Sequence, residues 1–261
     1  AATFDAYVRS WTVVLAILCG LLVLLGVYHV RALPAGGGAA ERHSLRDGLS
    51  GLKEVVGAFF QKKHIWYYLG FIILYRLGEG FVMKIVPLFL KADTASGGLG
   101  LTNQQIGLYY GTFGAGAFLL GSLLAGYYIA HRGLRRTLFI LCCIFNIPFA
   151  VYALLAWLQP QSMWIVGGGI VLEYFGYGFG FVGLTLFMMQ QVAPGRHQMA
   201  HYAFASGIMN LSVMLTGAVS GYLSDALGYG MFFLAVMLAT VPAFLVTWFV
   251  PFTYDDKPND K

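Results

Sequence analysis

The stretch IWYYLGFIILYRLGEGFVMKIVPLFL, Ile65 to Leu90, decides the fold class. At 1.5 Å per residue it is long enough to cross the hydrocarbon core of a bilayer. It nevertheless carries Arg76, Glu79 and Lys84. A charge near the centre of a membrane helix costs about 2.5–3.5 kcal/mol on insertion scales, so three would strain even this apolar segment. They are tolerable where they face a bundle interior or a wet cavity and find partners there. At 100° per residue the three charges fall within roughly 140° of one another, and the rest of the circumference keeps apolar residues such as Phe81 and Val86. One face therefore suits lipid or neighbouring helices, and the other suits a charged pathway for a solute.

Composition agrees. Charged residues are 10% of the 261 and hydrophobic ones 59%, with a mean hydropathy of +0.72, against roughly a quarter charged in a soluble domain. The chain reads as an all-α polytopic membrane protein. The net charge of +5 does not point to nucleic acid, because the basic residues sit in the loops between spans. Cys19, Cys142 and Cys143 lie inside apolar runs and read as small buried side chains. There is no zinc spacing, no phosphate-binding glycine loop after a strand and no nucleophile elbow, so neither an enzyme nor a metal or cofactor site is expected.

Seven spans follow in order: Trp11–Tyr28, Ile65–Leu90, Ile106–Ala130, Leu138–Leu158, Met163–Met189, Tyr202–Leu223 and Phe232–Val250. Between the first two lies a hydrophilic region. It opens with the flexible LPAGGGAA and becomes helical after a capping-box-like start at Ser44 and Asp47. Leu45, Leu49, Leu52, Val55, Val56 and Phe59 recur at helical spacing, which fits either an amphipathic helix on the membrane surface or a linker helix packed on the bundle. Gly114, Ala117, Gly121 and Ala125 are spaced for close helix approach. His201 is expected to be solvated near a span end, and the tail PFTYDDKPNDK to be mobile.

Alternate loops carry 12 basic residues against 2, which puts the linker and the C-terminus in the cytoplasm and the N-terminus outside. An outside N-terminus on an odd number of spans reads as the latter part of a longer protein. Residues 1–28 would be the last transmembrane helix of an N-terminal half and 29–64 a cytoplasmic linker. Residues 65–250 would form a six-helix C-terminal domain, and 251–261 a cytoplasmic tail.

Depth brings charges together. Arg76 and Glu79 lie within about 2–3 Å of their helix midpoint, and Lys84 about 10 Å further out. Glu173, on a span running the other way, falls about 4–5 Å outward of its own midpoint, between Arg76 and Lys84 in height. A Glu173 contact with Lys84 or Arg76 is expected, with Glu79 beside Arg76 one turn away. Moving a proton on and off Glu79 or Glu173 would change this pairing, while Arg76, permanently charged, would hold an anionic group of the solute. Tyr177 and Asn210 are further cavity candidates. The same charges could instead merely hold helices together.

The linker followed by six spans resembles the second half of a major facilitator superfamily transporter. That superfamily's loop motif, G-x-x-x-D-[RK]-x-G-x-[RK]-[RK], is matched by Gly126, Gly133, Arg135 and Arg136, with Ala130 at the Asp position and His131 after it. A closer resemblance is to the AmpG muropeptide permeases and the related acetyl-coenzyme A transporters. It is carried by YRLGEGFVMK, LEYFGYGFGFVGLTLFM and HQMAHYAFASGIMNLSVMLTGAVSGYLSDALGYGMFFL. It implies proton-driven import of anhydro-muropeptides across a bacterial inner membrane by alternating access. The partners would be the solute, protons, the lipid bilayer and the N-terminal half. Lys84 departs from the family pattern, so a carrier of another anionic metabolite such as an acyl-coenzyme A, or a non-transporting sensor or scaffold, stays open.

Overall fold

Where the chain bends is set by glycine and proline. In the computed structural model, which describes residues 2–33 and 45–254, no described residue forms a strand. Two units are seen, divided after Gly48. The first contains α1 (Ala2–Ala32), longer at both ends than the expected span. Its hydroxyls turn back on their own backbone, Ser10 Oγ to Ala6 O at 2.9 Å and Thr12 Oγ1 to Val8 O at 2.8 Å. An apolar helix exposed on every side suits a membrane span. The Pro-Gly-Ala stretch, Ser44 and the polar end of the tail lie outside the described residues.

Six further crossings are seen in the second unit, which with α1 makes seven membrane helices among the described residues. The first is not the continuous helix expected. It consists of α3 (Ile65–Tyr75) and α4 (Leu77–Lys91), separated by Arg76 at φ −100°, ψ 8°. The sequence Leu-Gly-Glu-Gly that follows holds a helix weakly, because glycine loses more backbone entropy than any other residue. The second crossing runs from α5 (Asn103–Ile106) through a π-helical turn into α6 (Gly114–Arg132). The third, α7 (Leu134–Asn146) and α8 (Ala150–Leu158), is broken by a 3₁₀ turn at Pro148, which lacks the amide to continue an α-helix. The fourth is α9 (Met163–Phe187) with a short π turn at its end. The last two are the halves of α10 (Gln198–Trp248), which turns at Gly228.

Only one residue, Gly133 (φ 78°, ψ 149°), separates α6 from α7, and Gly228 (φ 71°, ψ 160°) does the same inside α10. Both conformations are open essentially to glycine alone. The same device thus joins the second and third crossings and the fifth and sixth, so the unit reads as two triplets of helices. The triplets interlock: α6 packs on α9, and α4 packs on α10.

Small residues let these pairs close. Gly114, Ala117, Gly121 and Ala125 are all buried, as their spacing predicts. A Cβ at Gly121 would overlap the Phe175 carbonyl, and one at Gly178 the Phe118 carbonyl. On α4, a Cβ at Gly80 would overlap the Thr216 hydroxyl, and Ser212 Oγ donates to Ile73 O at 3.0 Å. Packing and such interhelical hydrogen bonds hold helices together where hydrocarbon offers no hydrophobic drive.

Around the ends, the last turns of α2 (Leu45–Phe60) meet the start of α10 through side chains, while residues 51–54 are exposed. Phe59 is buried against Phe204 and His201, while Leu52 stays exposed. His201 is therefore buried, not solvated, and its Nε2 lies 3.2 Å from Val55 O. Lys62 Nζ donates to the carbonyls of Val192, Ala193 and Pro194 at 2.6, 3.2 and 2.6 Å. It thus caps the end of the fourth crossing with a positive charge where the helix dipole is negative, although burial pulls its ammonium below the ordinary lysine pKa. The tail up to Tyr254 is anchored, contrary to expectation. The buried Gln191 side chain accepts from the Thr253 and Tyr254 amides at 2.8 and 3.1 Å and donates to Tyr254 O at 3.0 Å.

Candidate functional site

The break at Arg76 turns its guanidinium into the bundle, where both Glu79 carboxylate oxygens accept from it. Arg76 and Glu79 are only 4% and 3% exposed. The pair is held on one side by the Phe181 ring, 5.2 Å from the Arg76 Cζ. Close packing makes the position possible: at Gly78, beside Glu79, a Cβ would come within 2.6 Å of Thr240 Cγ2 on α10 and 3.3 Å of Phe149.

Across from Glu79, α9 contributes Glu173, buried at 6% exposure. Its Oε2 accepts a hydrogen bond from Tyr152 Oη at 2.8 Å. Tyr152 is fully buried on α8, its ring stacked on Phe233 with centroids 5.7 Å apart. Glu79, Glu173 and Tyr152 wall a small cavity together with Val82, Met83, Tyr110, Tyr174 and Tyr177. Tyr110 meets Tyr174 edge to face at 4.9 Å. The cavity measures about 40 Å³, room for two or three waters.

Electrostatically the two carboxylates differ. Glu79 has the Arg76 guanidinium bonded to both of its oxygens. Glu173 has one neutral donor and, among the described residues, no cation within ion-pair distance. A carboxylate so placed lacks the counter-ion that Glu79 has. The expected contact of Glu173 with Arg76 or Lys84 is thus not formed. Arg76 is paired with Glu79 through Nε and Nη2, and Tyr152 takes the place of the cation.

Lys84 does not join this group. It is exposed, and its stem lies over α10, where a Cβ at Gly217 would stand 3.1 Å from Lys84 Cγ. Glu79 and Lys84 are the two ends of the expected arc, five residues and about 140° apart round α4. Aiming Glu79 at α9 therefore aims Lys84 elsewhere. Asn210 is likewise exposed, off the buried α10 stripe of Ala205, Met209, Ser212 and Thr216. Tyr177 is half-buried on the cavity wall beside Glu79 and Glu173. Sequence reasoning missed Tyr152. One tyrosine in an apolar span gives no sign of which carboxylate it will meet.

In the loop motif, Gly133 makes the turn and its carbonyl accepts from Thr137 Oγ1 at 2.8 Å. Arg135 and Arg136 are exposed, Arg135 with its Cζ 5.9 Å from the Phe252 ring centroid. Gly126 is half-buried on α6 with no atom within 4 Å of an added Cβ.

The six crossings of the second unit enclose a buried charged cavity, the architecture of a multi-pass membrane protein. Residues 72–261 match the Major Facilitator Superfamily, and the chain belongs to that family. Among curated proteins it is 26% identical over 188 residues to an anhydromuropeptide permease of Escherichia coli K12, covering 72% of this chain and 37% of that protein. It is 24% identical over 195 residues to a putative transporter AmpG 2 of Rickettsia bellii (74% and 46% covered). An uncharacterized protein of Haemophilus influenzae is 22% identical over 201 residues, again 74% and 46% covered. The match spans less than half the length of each of these relatives.

Proposed function

We propose that the chain is the C-terminal part of a proton-coupled importer of anhydro-muropeptides in a bacterial inner membrane. Residues 1–28 would end the N-terminal half, 29–64 link the halves in the cytoplasm, 65–250 form the C-terminal half and 251–261 its cytoplasmic tail. The names of the relatives support the solute class, and the excess of basic residues in alternate loops supports the orientation.

One observation carries the coupling: two buried carboxylates share a water-sized cavity, and Arg76 neutralises only one of them. In this reading Glu173 binds and releases the transported proton, Tyr152 orienting its carboxylate. Glu79 holds Arg76 until an anionic group of the solute competes for the guanidinium, whose planar fork suits a carboxylate. Exchange of that partner, with the proton moving on Glu173, biases the rocking of one half against the other. A cavity of about 40 Å³ cannot hold a muropeptide, so the solute site is completed by residues of the N-terminal half.

The test is uptake of labelled anhydro-muropeptide by vesicles carrying the full-length protein. With Glu173→Gln, an imposed proton gradient should no longer raise uptake above the gradient-free rate. Gradient-driven uptake equal to that of the unaltered protein would remove Glu173 from the proton pathway.

A further inference from the structure

A second cavity, of about 190 Å³, lies away from the charged site, where the loop after α4 meets the loop between α8 and α9. Thr94, Gln105, Gln159 and Gln161 supply polar groups to its wall, and no charged residue lines it. Leu101 and Val166, both buried, give it an apolar floor.

The walls are preorganised. Amides of the first loop donate back to α4 or its C-cap, Leu99 N to Phe89 O at 3.1 Å, Gly100 N to Ala92 O and Leu101 N to Leu90 O at 2.8 Å. Gln105 Oε1 accepts from the Thr102 amide at 2.9 Å, closing a capping box. Gln159 is held in the left-handed region (φ 40°, ψ 55°), and its Nε2 donates to Gly98 O at 3.5 Å. Among the described residues, no hydrogen bond engages the Gln105 amide nitrogen, the Gln159 amide oxygen or the Gln161 side chain. A non-glycine residue kept at positive φ marks a site whose surroundings over-determine it.

We propose that this cavity binds an uncharged, hydroxyl- and amide-bearing ring, the size of one pyranose. Side-chain amides with both donor and acceptor capacity pair with hydroxyl and acetamido groups, and Leu101 and Val166 accept the apolar face of the ring. The lack of charge disfavours ionic ligands. The volume is below the roughly 300–1,000 Å³ of pockets for drug-sized ligands, so a single ring is taken and not a whole disaccharide-peptide. If the chain imports such solutes, the cavity is a docking subsite at the opposite end from the basic loops, and that role rests on the transport proposal. The binding itself does not.

Saturation-transfer NMR on the full-length protein in nanodiscs tests it, with N-acetylglucosamine as the neutral probe and glucuronate as the charged one. N-acetylglucosamine should receive saturation and glucuronate should not. The Gln159→Ala/Gln161→Ala double variant should weaken N-acetylglucosamine binding about tenfold, the effect of losing two neutral hydrogen bonds. Gln161→Ala alone removes an exposed side chain with no part in the fold, and should weaken binding in the same direction. Equal saturation of the two probes, or binding untouched by both variants, would overturn the assignment, whatever the vesicle assay says about transport.

Discussion

Glu79→Gln is the sharpest perturbation of the buried ion pair. Arg76 and Glu79 are 4% and 3% exposed, and both carboxylate oxygens take guanidinium donors. The amide keeps the shape and one acceptor but not the charge, so Arg76 becomes a buried cation without a counter-ion. The Phe181 ring faces Arg76 before and after the change, so it offsets nothing. Removing one partner of a buried pair costs about 3–5 kcal/mol, and that loss is expected in reversible unfolding of the full-length protein in detergent micelles. Replacing both, as Arg76→Met with Glu79→Leu, removes the two charges together and should return stability to within about 1 kcal/mol of the original or better. Uptake should nevertheless be lost in the double variant, because no guanidinium remains to bind an anionic group. The combination separates holding helices together from moving solute. A single-variant cost below about 1 kcal/mol would mean that the pair is not desolvated as described. A double variant that transports normally would reduce the pair to a structural clamp.

Three further outcomes are expected. Gly178→Ala should destabilise the bundle by about 1–3 kcal/mol, since its Cβ would overlap the Phe118 carbonyl of α6; Gly116→Ala, with nothing within 4 Å, should stay within about 0.5 kcal/mol in the same unfolding assay. Lys62→Met keeps the stem but removes the donor to Val192, Ala193 and Pro194. It should cost about 1–3 kcal/mol and raise amide hydrogen exchange through residues 192–198, and unchanged exchange there would show that the cap is not needed. Tyr152→Phe removes a hydrogen-bond donor to Glu173. It should depress gradient-driven uptake while leaving the overall fold, followed by circular dichroism, as it was, and full uptake would leave Tyr152 without a part in coupling.

The residues tell which properties are local and which are not. Hydropathy adds up along the chain, so the number of crossings and their order follow from Ile65–Leu90 and its counterparts before any contact is known. The burial of Arg76, Glu79 and Glu173 is equally fixed, since a charge inside a span must find a wet or paired place. Their partners were not legible. Whether Glu173 meets a cation depends on a kink at Arg76, on the rotation of α4 that sends Lys84 over Gly217, and on Tyr152 arriving from α8. These are angles between helices, set by which glycines allow two backbones to touch, and a one-dimensional pattern holds no record of them. The anchoring of Thr253 and Tyr254 by Gln191 was hidden for the same reason: polarity near a chain end reads as solvated until the fold supplies a partner some sixty residues away. Sequence alone determined that charge would lie within the membrane, and the tertiary structure decided which carboxylate is paired with the cation and which meets only a tyrosine.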